Sequence, residues 1–129
     1  MILVIPPQLA SEMEAFRSKD QVIEVLEDGA RFLVVFKEFE LPAGRYSPRV
    51  TDLMVMADYQ YPMSRLDMYW TDPVIRLING SYPQGADQFE DHGGRRWQRW
   101  SWHYQAWDPS RHNVHTHLEV FHDRLARGV

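Results

Sequence analysis

Four short runs of apolar and β-branched residues follow one another within residues 21–70, and they constrain the fold more than any other feature. Asp28-Gly29 separates the first two runs and suits the positive φ that a tight hairpin needs. Successive strands joined by short turns are typical of an antiparallel meander. The runs cover residues 21–26, 31–36, 53–56 and 67–70. The sequence therefore predicts a four-stranded antiparallel sheet.

Helices are predicted on both sides of these strands. Pro6-Pro7 can open a short N-terminal helix, because proline is tolerated in the first turn. Asn113 or Ser110 is the candidate N-cap of a C-terminal helix, and Gly128 suits its end. Apolar residues recur at helical spacing in both segments. They are Leu9, Met13 and Phe16 in the first, and Val114, Leu118, Phe121 and Leu125 in the second.

The whole chain is predicted to form one α+β domain, because its 129 residues match the usual size of a domain. Glycines and prolines punctuate residues 74–96, where no regular pattern is visible. A stretch of about 20 residues without regular structure is usually functional or mobile. We therefore expect residues 74–96 to form a long irregular segment that is functional or mobile.

The composition excludes several classes of function. The chain has no cysteine, so it cannot form a disulfide, a thiolate metal site or a cysteine nucleophile. Its net charge of −4 disfavours nucleic acid, which requires a basic surface. The apolar start is shorter than the roughly 7–15 residues of the apolar region of a signal peptide, and no run approaches the roughly 20 apolar residues of a membrane span. We expect a cytoplasmic protein with no cofactor.

A block of alternating arginine and tryptophan precedes the C-terminal helix. Such side chains can stack on nucleic-acid bases, form a hot spot of a protein interface, or cover one another within the fold. The acidic total favours a core that also offers a partner surface. The block contains Arg95, Arg96, Trp97, Arg99, Trp100 and Trp102.

Three local motifs follow one another along the chain, Tyr61-Pro62, Thr71-Asp72-Pro73 and Trp107-Asp108-Pro109. In content and order they are similar to motifs of ubiquitin-conjugating (UBC) enzymes. The first resembles the Tyr-Pro that follows the third strand of that fold. The second stands where the UBC family carries His-Pro-Asn, and the third resembles the Trp-Ser-Pro that opens the helix after the active site. With the tryptophan-rich block, residues 21–127 resemble the prokaryotic family E of UBC-like proteins.

The resemblance implies a UBC-like fold with the C-terminal helix packed on the sheet, and it makes residues 74–96 an enlarged irregular segment at the active site. It also implies a bacterial ubiquitin-like modification pathway, whose other components are a ubiquitin-like protein, an activating enzyme and a JAB-type peptidase. The family's nucleophile is a cysteine about eight residues before the Trp-x-Pro, and that position holds Arg99 here. The chain would therefore carry the modifier as an oxyester or act as a scaffold. A non-catalytic module that binds a ubiquitin-like protein is the alternative.

Ser101 is the candidate acyl carrier, and His103 is the nearest base that could activate its hydroxyl. The two side chains share a face if the chain is extended there. Asp72, Asn79 and Asp87 flank the irregular segment; a carboxylate could orient His103 or take a proton from a lysine, and an amide could stabilise an oxyanion. In the alternative interpretation each of these is an ordinary turn or strand residue.

Two further sets of residues are candidates. Tyr61, Pro62, Arg99, Trp100 and Trp107 are predicted to contribute to partner binding. Histidines crowd the last helix and its entry, which raises the alternative of a small metal-dependent hydrolase. No His-Glu-x-x-His motif is present, so capping or solvent-facing histidines are favoured and no metal is expected. These histidines are His112, His115, His117 and His122.

Overall fold

The computed structural model describes residues 4–103 and 106–128 and has two helices and eight strands in this part of the chain. Helix α1 begins the order and α2 ends it. The elements are α1 (Pro7–Arg17), β1 (Ile23–Asp28), β2 (Arg31–Glu40), β3 (Tyr46–Ser47), β4 (Val50–Asp58), β5 (Tyr69–Asp72), β6 (Arg76–Leu77), β7 (Gln88–His92), β8 (Arg95–Trp100) and α2 (Val114–Arg127).

Six of these strands form one antiparallel sheet in the order β1-β2-β4-β5-β8-β7, and β3 pairs with β6 beside it. The α+β class and the antiparallel meander are as predicted, but the prediction of four strands is wrong. The β7–β8 hairpin extends the sheet past β5, and its first strand lies in the segment 74–96 that the sequence predicted to be irregular. Its strands are charged, Gln-Phe-Glu-Asp-His and Arg-Arg-Trp-Gln-Arg-Trp, so they lack the apolar runs of the other strands.

Both helices pack on one face of the sheet, which we call the inner face. Leu9 and Met13 of α1 and Phe121 and Leu125 of α2 are buried in its core. They meet side chains of the central strands and of the hairpin. Those include Phe32, Val34, Phe36, Leu53, Val55, Tyr69 and Trp100.

Helix α2 is capped at both ends by residues that the sequence predicted. The Asn113 side chain accepts from the Thr116 amide at 2.9 Å, and the Thr116 hydroxyl accepts from the Asn113 amide at 2.9 Å, which together form a capping box. Gly128 adopts φ 76° and ends the helix. The buried stripe differs from the prediction in one residue, because His117 is fully buried and Leu118 is only partly so.

The opposite, outer face carries a second and smaller apolar cluster. It consists of Leu33, Val35, Met54, Trp70 and Trp97. The sheet curls so that the β7–β8 turn approaches β1 and β2: a Cβ atom on Gly93 would lie 3.1 Å from a methyl carbon of Leu33. Gly93 also has φ 60°, so the turn requires glycine for its backbone as well as for its space.

The connection between β5 and β7 is fastened to the sheet by the side chain of Gln98. This residue is completely buried. Its Oε1 accepts from the Thr71 hydroxyl and the Ile75 amide, both at 2.8 Å. Its Nε2 donates to the carbonyls of Ile75 at 2.9 Å and Ala86 at 2.8 Å. All four hydrogen-bonding positions of the amide are therefore used.

Neither of the two helices is long and apolar enough to cross a membrane, within the residues that the structure describes.

Candidate functional site

The chain alternates between the two faces of the sheet from β8 onward, and this alternation places the candidate carrier. Trp100 and Trp102 are buried on the inner side, while Ser101 is part-exposed and His103 is exposed. Arg99, Ser101 and His103 therefore project together to the outer side. We call these three residues, with Glu90 and Asp67 that contact them, the outer polar row.

Ser101 is positioned by a backbone hydrogen bond to Gly85 and by a side-chain hydrogen bond from Arg99. Its backbone amide donates to the Gly85 carbonyl at 2.9 Å, which continues the pairing beyond β8. The Arg99 Nε donates to the Ser101 Oγ at 3.2 Å. A cationic donor on this oxygen stabilises negative charge there, in a free alkoxide or in an ester that is losing its alcohol. Ser101 and His103 share a side, and no hydrogen bond among the described residues joins them.

Glu90 fixes the guanidinium of Arg99. Arg99 Nη1 donates to Glu90 Oε2 at 2.7 Å, while the other oxygen accepts from Trp70 Nε1 and His92 Nε2, both at 2.9 Å. Burial by itself would raise the pKa of Glu90, but the hydrogen bonds from His92, Trp70 and Arg99 outweigh it and lower the pKa to about 2. Glu90 is therefore a permanent anion near neutral pH, and Arg99 is oriented toward Ser101.

His103 is oriented by Asp67, a residue that the sequence interpretation did not select. The His103 Nδ1 lies 3.0 Å from each carboxylate oxygen of Asp67. A carboxylate accepts from the protonated ring nitrogen, so the lone pair of the neutral ring is on Nε2. Nothing in the local sequence signals this pairing, because 36 residues separate the partners. The register Tyr69↔Trp100 between β5 and β8 brings them together.

The other predicted catalytic residues lie elsewhere. Asp72 accepts from Arg95 Nε at 2.6 Å, and the same arginine donates to Asp52 at 2.8 Å. Asn79 accepts from the Ser81 amide at 2.9 Å within an exposed turn, and Asp87 is exposed. None of the hydrogen bonds of the described residues joins Asp72 or Asn79 to Ser101 or His103.

The predicted binding residues fall into two groups. Trp107 Nε1 donates to the Pro62 carbonyl at 2.8 Å, so the Tyr-Pro and Trp-x-Pro motifs contact each other. Tyr61 is buried; its hydroxyl donates to Glu12 at 2.6 Å and accepts from the Val114 amide at 2.8 Å. These three residues organise the start of α2. Trp100 is completely buried and donates to the Thr71 hydroxyl at 2.9 Å. Of the five predicted binding residues, Arg99 is the one that belongs to the outer polar row.

The C-terminal histidines serve separate purposes. His117 is buried under Tyr69, His112 accepts from the Asp108 amide at 2.9 Å, and His115 pairs with Glu119 at 2.8 Å. Within residues 4–103 and 106–128, no three His, Asp or Glu side chains converge as a metal site would require. This geometry gives no support to the alternative of a metal-dependent hydrolase.

Comparison with known proteins gives one match. A family model described as prokaryotic E2 family E matches residues 9–128, which is nearly the whole chain and includes all of the outer polar row. No curated protein and no solved structure matches the chain.

Proposed function

The chain belongs to prokaryotic E2 family E, and from that membership we propose that it holds the C-terminus of a ubiquitin-like modifier as an oxyester on Ser101. Membership supports a role related to ubiquitin-like conjugation, with a modifier and an activating enzyme as partners. A JAB-type peptidase of the same pathway would act on the conjugates. Because the chain has no cysteine, an acyl group that it carries must be bound to oxygen or nitrogen.

The observation that carries this proposal is the hydrogen bond from Arg99 Nε to Ser101 Oγ. An oxyester reacts with amines more slowly than a thioester, because the alkoxide leaves less readily than the thiolate. A guanidinium that donates to the leaving oxygen lowers this barrier by stabilising the developing negative charge. Glu90 holds the guanidinium in place through a bond of 2.7 Å, so the donor is fixed before an ester forms.

Ser101→Ala tests the carrier. With an activating enzyme, ATP and a ubiquitin-like protein, we expect the unaltered chain to form an adduct that hydroxylamine cleaves, and the variant to form none, because the attacking oxygen is missing. Gel electrophoresis with and without hydroxylamine measures this. Ser110→Ala, at an exposed serine that bonds to Asp108, is the matched control and should keep the adduct.

Persistence of the adduct in Ser101→Ala would remove Ser101 as the carrier. Tight binding of the ubiquitin-like protein without ATP, and no adduct under any condition, would favour a scaffold or a non-catalytic binding module instead.

Arg99→Gln tests the leaving-group argument. Loss of a charged hydrogen bond corresponds to about tenfold in rate, so we expect the preformed adduct to lose its modifier to free lysine about tenfold more slowly. Arg96→Gln is the control, because the Arg96 guanidinium lies over the Phe89 ring and not on Ser101. Equal discharge rates for Arg99→Gln and the unaltered chain would mean that Arg99 does not assist the departure of the alkoxide.

A further inference from the structure

We propose that Asp67 and His103 form an acid–base pair in which Asp67 is the positioning residue and His103 Nε2 accepts a proton from the attacking group. The first observation is the geometry of the pair, with Nδ1 3.0 Å from both carboxylate oxygens. The His103 side chain is 53 % exposed, so an incoming nucleophile can reach it. No described residue hydrogen-bonds Nε2, the nitrogen that would take the proton.

The second observation is the backbone that places Asp67. Met68, the next residue, has φ 63°, a left-handed backbone conformation that residues other than glycine seldom adopt. Its carbonyl accepts from His117 Nε2 at 3.0 Å, on the core side of the chain. Strained conformations of this type persist where surrounding structure enforces them, and they cluster at functional sites. Helix α2 thus fixes the point at which the chain turns Asp67 outward to His103.

The third observation is the contrast with other histidine–carboxylate pairs in the described chain. His92 uses both ring nitrogens, one toward Glu90 at 2.9 Å and one toward Arg31 at 3.3 Å, so it has no nitrogen left for a substrate. His115 and Glu119 form an i,i+4 pair on an open helix surface, each 61 % exposed. His103 alone of these lies two residues from a hydroxyl that shares its side. Arg65 forms an ion pair with the Asp67 carboxylate at 3.9 Å.

The chemical step follows from these positions. The identity of its acyl group rests on the proposed function. A lysine ammonium of an acceptor protein gives a proton to His103 Nε2, and the free amine attacks the carbonyl carbon of the Ser101 ester. The bond between that carbon and Oγ breaks, and Oγ takes the proton back from the imidazolium. The products are an amide and the free hydroxyl, and the proton lost from the amine nitrogen as the amide forms passes to solvent.

The test uses p-nitrophenyl acetate, an activated ester that requires neither modifier nor activating enzyme. We expect His103→Gln and Asp67→Asn each to slow the release of p-nitrophenolate by about tenfold, which is less than a general base usually contributes because the pair is part-exposed. His115→Gln and Glu119→Gln are matched controls and should stay within about twofold of the unaltered rate.

Nitrogen-15 NMR of the histidine rings gives a readout that a merely structural role of Asp67 would leave unchanged. In the unaltered chain the His103 ring should carry its proton on Nδ1, and Asp67→Asn should remove that preference. Ester release and tautomer both unchanged in Asp67→Asn would overturn the pair. Ester release that depends on the pair supports it even if Ser101→Ala retains the modifier adduct, a result that would overturn only the proposed carrier.

Discussion

Gln98→Leu is expected to lower the free energy of unfolding by about 3–5 kcal/mol, because each buried polar group left without a partner costs about 1–3 kcal/mol. Leucine fills a similar volume but cannot bond to the amide and carbonyl of Ile75 or to the carbonyl of Ala86. Ile75 and Ala86 are both completely buried, so water cannot replace the lost bonds without the connection opening.

Urea denaturation measures the loss, and Gln88→Leu is the matched control. Gln88 is the exposed first residue of β7, so its replacement should change the free energy of unfolding by no more than about 0.5 kcal/mol. A loss below about 1 kcal/mol in Gln98→Leu would mean that the Gln98 bonds do not hold the β5–β7 connection to the sheet.

The second large effect is a loss of stability in acid that arises from His117. Burial is the main cause and lowers the pKa of His117 to about 4, while the bond to the Met68 carbonyl acts in the opposite direction. The unfolded chain binds this proton near pH 6.5, the folded chain only near pH 4. Between these values the unfolded state binds more protons than the folded state. The free energy of unfolding therefore decreases by about 3 kcal/mol in total as the pH is lowered from 6.5 to 4.

Denaturation at several pH values between 7 and 4 measures this dependence. His117→Gln, which keeps a donor for Met68, should remove about 3 kcal/mol of the acid sensitivity relative to the unaltered chain. His115→Gln is the control from the same helix, since His115 is 61 % exposed, and it should keep the full dependence. Identical pH dependence in His117→Gln and the unaltered chain would show that His117 does not stay neutral in the folded state at pH 5.

The sequence predicts the fold where apolar side chains alternate or recur, and it fails where polar contacts hold the chain. Strands β1, β2, β4 and β5 and both helices carry such patterns. The β7–β8 hairpin does not, because charged and polar residues separate its buried tryptophans, and ion pairs such as Arg99–Glu90 and the buried amide of Gln98 add to its apolar contacts. A glutamine is usually a surface residue, so nothing in the sequence marks this one as central to the core.

The same distinction applies to the candidate site. Ser101 and His103 are two residues apart, so the face that they share can be predicted from an extended chain. Asp67 could not be found in this way, because its contact with His103 depends on the β5–β8 register and on the left-handed Met68. Asp72, which the sequence offered as a carboxylate to orient His103, binds Arg95 instead.

Peptide mapping of the modifier adduct by mass spectrometry is the most direct test of an acyl group on oxygen. Trypsin cuts after Arg99 and Arg111, so Ser101 falls in the peptide 100–111, whose other hydroxyl side chains are Tyr104 and Ser110. We predict that this peptide carries the C-terminal remnant of the modifier on Ser101, and that hydroxylamine removes it. A hydroxylamine-resistant remnant found only on Lys19 or Lys37, the two lysines of the chain, would contradict an ester on Ser101.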